Sequence, residues 1–456
     1  MKPHHVLLFI ATVMACLAAL CLVLPGRIAF GEKELRWPTL AEVTGEPSAF
    51  SFQTSDTLEI PDNPEITAAD TAQATPTTET TPVTNTKPVV PNVVVDSTID
   101  SRVFLQTFYA SLAESSERVV RVLHYGDSQI EEDRMSLQIR EHLQKRYGGG
   151  GVGLMPLVQT IPSRTVKQQL HMDGRMITPA QGPQRYLVHG PKRDQHPDGL
   201  YGVMGQMAEM NDSLVSGSEE LMAVCTPQEE AAPYTRWRVF ADGTIHYSFA
   251  GDTVRLSGKG HVYGLSQESE TGVIVDNIPM RGCLGTVFTR IDSTQLASFY
   301  SEENVRLIIM QFGGNAIPSN RNPGTIQAIV KGLREQVQYL RACAPQASIL
   351  FIGPSDMMTQ TDGEWQTYPM VPYMDRLLHK MALDEHIAYF SLFRWMGGAG
   401  SMMHWQEIGL AGNDGVHFTR SGARKAGNAV ADWLMKPVGE MENGEKLPAN
   451  DSPRMD

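Results

Sequence analysis

The run Val119-Val120-Arg121-Val122-Leu123-His124-Tyr125, followed at once by Gly126-Asp127-Ser128-Gln129, decides the fold. A largely apolar, β-branched stretch of that length reads as a buried strand. Met135, Ile139, Leu143 and Tyr147 then recur at helical spacing, so the local order is strand, turn, helix. Upstream, Val103, Phe104, Phe108 and Leu112 mark a short amphipathic helix. The same rhythm returns later in the chain. Residues 273–278, 305–310, 349–352 and 387–390 are apolar runs of strand length. Ile326, Ile329, Val330, Leu333, Val337 and Leu340 form one helical stripe between them, and Met374, Leu377, Leu378 and Met381 form another. Residues 422–434 supply a last helix. Repeated strand and helix predict an α/β fold, with a parallel sheet covered on both faces.

Residues 157–271 break the rhythm with proline and glycine punctuation. Asp242-Gly243 ahead of the alternating Ile245, Tyr247 and Phe249 predicts a hairpin with one buried face. A β-rich unit is therefore expected as an insertion between two parts of the α/β domain, 99–156 and 272–437. No internal repeat is visible.

The whole chain has 456 residues and a net charge of −13. An acidic surface repels phosphate backbones, which makes nucleic acid a poor partner. No C-x2-C pair offers a thiolate zinc site, so no metal or other cofactor is expected. Residues 1–31 contain an apolar run from Val6 to Leu24, long for a signal peptide and just long enough for a membrane anchor, so both readings stand. Either one places the body of the chain outside the cytoplasm, in the periplasm or an equivalent envelope space, with tethering to the inner membrane in the second case. Residues 32–98 read as a disordered linker, because Thr67–Thr86 alone holds nine threonines and little apolar surface. Residues 438–456 read as a flexible tail. Outside the leader lie Cys225, Cys283 and Cys343. An odd number leaves at least one thiol unpaired, and three buried free thiols are expected.

In an open parallel sheet, reactive groups gather at the carboxyl ends of the strands. Ser128 stands at the first such end. Asp414-Gly415-Val416-His417 follows the last strand and a loop, at a spacing that lets a carboxylate and an imidazole share one turn. His417 is then a candidate general base and Asp414 its orienting partner. Gly313-Gly314-Asn315 follows a third strand, where Asn315 would present an amide donor. Each motif alone has a plain structural reading: a helix N-cap, a surface pair, a left-handed turn. Their occurrence together at strand ends favours chemistry.

These residues resemble the SGNH hydrolases, also called GDSL esterases, and the motifs arrive in that family's order. Gly126-Asp127-Ser128 is similar to the nucleophile block. Gly282-Cys283-Leu284-Gly285 is similar to the second block, with Gly285 the first match and Gly282 the other. Gly313-Gly314-Asn315 resembles the third block, with Ala316 where the family often has aspartate, and Asp414-x-x-His417 resembles the last. The resemblance implies a three-layer, flavodoxin-like fold and Ser128-His417-Asp414 catalysis. It also implies an oxyanion hole made by the amides of Ser128 and Gly285 and the side chain of Asn315. The glycine run 148–151 with Gly153 and the β-rich insertion look like the peptidoglycan O-acetylesterase branch, whose insert resembles a carbohydrate-binding module. An O-acylated, chiefly O-acetylated, envelope glycan is then the expected substrate.

Other readings remain open at this point: an esterase or acetyltransferase acting on another polysaccharide or lipid, or a non-catalytic glycan-binding protein. Trp395, Trp405, Trp237 and Tyr247 invite sugar stacking, with core packing the default. Glu131, Glu132 and Asp133 read as an acidic first helical turn favoured by the helix dipole. His404 lacks a partner carboxylate at ligand spacing.

Overall fold

The computed structural model describes residues 27–30, 33–36, 91–96, 98–211, 220–228, 232–361 and 363–436. The apolar run Val6–Leu24, the threonine-rich stretch and the 438–456 tail lie outside these described residues. Within Met1–Val83, Arg27–Phe30 pairs antiparallel with Lys33–Arg36. That second strand falls inside the stretch 32–98 read above as a linker.

Within Thr84–Asp456, five parallel strands lie side by side in the order Gly272–Pro279, Val119–Gly126, Val305–Gln311, Ser348–Gly353 and Ala388–Ser391. Counted along the chain this is 2-1-3-4-5, the flavodoxin-like order. Alternation within each strand splits the apolar side chains between two faces. Leu123, Tyr125, Ile278, Ile308, Met310 and Phe351 meet helices Ser293–Glu302, Pro323–Cys343 and Val371–Asp384 on one side. Val120, Val122, Val273, Val275, Leu307 and Ile309 meet helices Gln106–Ser111, Ser136–Tyr147 and Arg420–Met435 on the other. The expected three layers are present. Near the start, the buried stripe is Leu105, Phe108 and Leu112, whereas Val103 is exposed, because a 3-10 turn over Ser101–Leu105 shifts the phase.

Between the first and second sheet strands lie two antiparallel sheets of five strands each. One contains Gly153–Met155, Gln184–Leu187, Gln206–Met210, Arg236–Ala241 and Gly260–Glu268; the other contains Val166–Met172, Arg175–Ile177, Leu221–Pro227, His246–Ala250 and Thr253–Ser257. Met210, Trp237, Val262 and Leu265 from the first pack with Leu170, Ala223, Val254 and Leu256 from the second, making a sandwich core. The antiparallel part thus begins at Gly153, a few residues before 157.

The Asp242-Gly243 expectation needs correction. Asp242-Gly243 joins strands of different sheets, and the hairpin forms instead between His246–Ala250 and Thr253–Ser257. His246–Ala250 is an edge strand exposed along its whole length, so Tyr247 and Phe249 face solvent despite their alternation.

A buried ion cluster, which no local pattern announces, joins the insertion to the sheet. Arg121, fully buried on the strand Val119–Gly126, contacts Asp276 at 3.0 Å and pairs with Glu268 from the last strand of the insertion. Arg236 reaches Glu268 at 2.8 Å, and Arg238 reaches Glu303 at 2.7 Å.

Candidate active site

The turn after the first sheet strand is shaped by Gly126, since a Cβ there would stand 3.0 Å from Ile130 and 3.2 Å from the Gln311 carbonyl. Asp127, not Ser128, caps the short 3-10 helix Ser128–Asp133: its Oδ1 accepts from the Gln129 amide at 2.9 Å. The serine hydroxyl is thereby left for another partner. Ser128 Oγ lies 2.8 Å from His417 Nε2, and His417 Nδ1 lies 2.7 Å from Asp414 Oδ2. With Nδ1–H donating to the carboxylate, Nε2 is the acceptor for the serine proton, a tautomer assigned from the network.

Asp414 is held from several directions. Its Oδ1 accepts from the amides of Val416 at 3.0 Å and His417 at 2.9 Å, while Gly415 takes the left-handed φ of +66° that closes this loop. Burial pushes the Asp414 carboxyl up, but the hydrogen bonds from the His417 ring and the two amides outweigh it and hold the pKa at about 2. Gln129 Nε2 donates to the Val416 carbonyl at 2.8 Å, tying this loop to the nucleophile turn.

Asn315 sits in a 3-10 turn after the third sheet strand, following Gly313 with φ of +114°. Its Nδ2 donates to Asp127 Oδ2 at 3.1 Å and to the Cys283 carbonyl at 3.2 Å. Ser128, His417 and Asn315 line one cavity of about 70 Å³, walled by Phe312, Pro318, Pro354 and Met357. The Ser128 amide has no hydrogen-bond partner among the described residues. Asp127 is buried beneath this cavity, and burial pushes its carboxyl up to about 6 against the pull of the Gln129 amide and the His417 charge.

Neither Gly285 nor Gly282 lines this cavity. The Gly285 amide donates to the Cys283 thiol at 3.3 Å, and its α-carbon packs on Phe312 and Leu333. Gly282 is the open glycine of the same block: its φ is +70°, a Cβ there meets nothing within 4 Å, and its amide has no hydrogen-bond partner among the described residues. It precedes Cys283, whose carbonyl touches Asn315. Motif spacing could not separate the two glycines, because both fit the block and only the chain's turn decides.

The acidic turn also differs from its reading. Glu131 and Glu132 leave the helical region, and Glu131 is buried and gripped by Arg281 at 2.6 Å through two hydrogen bonds. Asp133 is likewise buried against Arg140. Specific ion pairs, not a helix dipole, hold these carboxylates. Trp405 is buried, packing on Trp395 at 5.4 Å and on Phe418 at 5.1 Å. Trp237 is buried too, its Nε1 donating to the Gly251 carbonyl. His404 is exposed beside Glu407. Cys225, Cys283 and Cys343 are buried free thiols, and among the described residues no group of three His, Cys, Asp or Glu side chains is placed to hold a metal ion.

No family model matches the chain, and no curated protein matches it by sequence. Among solved structures, a peptidoglycan O-acetylesterase superposes with a TM-score of 0.55 at 21% identity, over 74% of this chain and 95% of its own. An acetyl xylan esterase superposes over 36% of this chain and 79% of its own, at 14% identity and a TM-score of 0.25. The periplasmic domain of a lipopolysaccharide acetyltransferase from Salmonella ser. Paratyphi A does so over 36% and 74%, at 13% and 0.27. Through the first of these, together with its own 2-1-3-4-5 sheet and strand-end motifs, the chain has the α/β fold of the SGNH hydrolases.

Proposed function

We propose that the protein is a serine esterase that removes short O-acyl groups, acetyl first among them, from a glycan of the cell envelope. The observation that carries this reading is the continuous hydrogen-bonded line from Ser128 Oγ through His417 to Asp414. Ser128 Oγ attacks the ester carbonyl while His417 Nε2 takes its proton, and Asp414 stabilises the imidazolium. The carbonyl oxygen, now negative, receives hydrogen bonds from the Ser128 amide and from Asn315, which releases the Cys283 carbonyl to do so. His417 returns the proton to the leaving sugar oxygen as the C–O bond breaks. Water, deprotonated by the same imidazole, then frees the acid and restores Ser128.

The cavity of about 70 Å³ suits a two-carbon acyl group. The sandwich would serve as a glycan-binding module, and the apolar run near the N-terminus supports an extracytoplasmic address, leader or anchor. Purified protein is expected to hydrolyse an aryl acetate and to release acetate from O-acetylated peptidoglycan faster than from acetylated xylan. A fluorophosphonate probe should label Ser128. Unchanged aryl acetate turnover in Ser128→Ala would end the assignment.

A further inference from the structure

The turn 127–133 separates two cavities. Residues 127–129 line the small one around Ser128, and residues 131–133 line a larger one of about 280 Å³. Its walls come from both halves of the fold: Glu131, Asn277 and Arg281 from the α/β part, and Val158, Arg185 and His189 from the sandwich. A polymer lying with its ester at Ser128 has this space beside it.

The charges of the wall are unevenly matched. Glu131 is neutralised by Arg281, Asp133 by Arg140 and Glu132 by Arg134. Arg185 is different. Its Nη1 donates only to the Val158 carbonyl at 3.4 Å and to Thr160 Oγ1 at 3.0 Å. Among the described residues its Nε and Nη2 have no hydrogen-bond partner, and no carboxylate lies within ion-pair distance. Burial works against its charge, and the more distant Asp194 offers the opposing attraction.

Next to it on the wall stands a second unsatisfied group. His189 Nδ1 is buried with no partner. Burial first, then the charges of Arg185 and Arg290, hold its pKa down at about 4, so the ring is neutral near pH 7. A half-buried guanidinium with free donors beside an unpartnered imidazole is an unfinished site. Its geometry suits a carboxylate, which a guanidinium binds through two parallel N–H donors. A chain of net charge −13 repels an anionic polymer overall, so such a substrate needs a local cation to seat it.

We propose that Arg185, with His189 beside it, forms a carboxylate-binding subsite next to the ester site, selecting glycans that carry an acidic group near the acylated sugar. The subsite rests on the esterase reading for its purpose, yet it is measurable without turnover. The carboxylate has two chemical sources, an acidic substituent on the sugar ring or a peptide attached to the glycan.

The test is calorimetric titration of the full chain carrying Ser128→Ala with three ligands. These are a muramyl oligosaccharide with its lactyl carboxylate free, the same glycan with its peptide stem attached, and the first ligand with its carboxylate converted to a methylamide. At least one charged ligand should bind about tenfold or more tighter than the methylamide, and whichever does so identifies the source. That difference should vanish when Arg185→Gln is added and be partly kept by Arg185→Lys. Equal affinity for all three ligands overturns the subsite, as does a preference that persists in Arg185→Gln. Separately, no acetate release by the wild-type chain, with the charge preference intact, would count against the esterase and not against the subsite.

Discussion

Gln129 crosses from the nucleophile turn to donate its side-chain amide to the carbonyl of Val416, 2.8 Å away and 287 residues along the chain. With the Ser128–His417 contact, this bond ties the loop bearing Asp414 and His417 to the loop bearing Ser128. Gln129→Ala should therefore lower kcat on an aryl acetate about tenfold or more, since small misplacements of reacting groups are costly. Gln129→Glu, which cannot donate from a carboxylate, should fall similarly. Steady-state kinetics with thermal melts would check this, and a drop that merely tracks lost folded protein would refute the positioning role.

Asn315 offers a second test. If its amide stabilises the negative oxygen only at the peak of the reaction, Asn315→Ala should reduce kcat by about 10²–10³ with KM little changed. Gly285→Ala, by contrast, should act through folding: a Cβ there would lie 2.6 Å from Phe312 at a φ of +86°. Its thermal midpoint should fall, with the remaining folded enzyme turning over nearly as before.

Asp127 makes the pH dependence specific. Its folded pKa, pushed up to about 6 by burial, exceeds the ordinary carboxylate value of 3.8. The folded state therefore binds the proton more tightly, and stability is lost as pH rises from about 4 through 6. Asp127→Asn has no such loss. Urea denaturation of both proteins should show the variant gaining on wild type between pH 4 and pH 8, by on the order of 2–3 kcal/mol. A constant difference across that range would sink the claim. Asp414, held at about 2, has the opposite sign: its contribution is present above about pH 4 and fades as pH falls toward 2.

The cluster around Arg121 predicts a large stability effect far from the chemistry. Removing the cation strands the buried Asp276 and leaves the buried Glu268 to Arg236 and Arg238 alone, so Arg121→Met should cost about 3–5 kcal/mol in denaturant unfolding. Replacing Arg121, Glu268 and Asp276 together by apolar residues of similar size should cost less than Arg121→Met alone.

Period and motif carried the sequence a long way. The apolar, β-branched run Val119–Tyr125 and the helical stripes along Ile326–Leu340 and Met374–Met381 report burial that neighbours within a few residues already encode, and the structure follows them. The structure also places Ser128, Asp414 and His417 together, as their strand-end positions anticipated. What remained hidden depends on partners distant in the chain. Arg121 finds Glu268 across 147 positions, and Glu131 finds Arg281 across 150, so neither carboxylate betrays its burial locally. Tyr247 and Phe249 misled because alternation reports a strand, not whether its covering layer exists. Gly282 and Gly285 were inseparable because a motif records residue types and not the direction in which a turn points.

Ser128 and His417, though 2.8 Å apart, are separated by 289 positions, with the sandwich and four further sheet strands made between them. During synthesis the nucleophile is therefore an inert hydroxyl for most of the chain's emergence, and its strand waits between two neighbours that arrive much later. The hydrogen-bonded line exists only in the completed body: a stalled or clipped product lacking the Asp414–His417 loop leaves Ser128 without its imidazole partner.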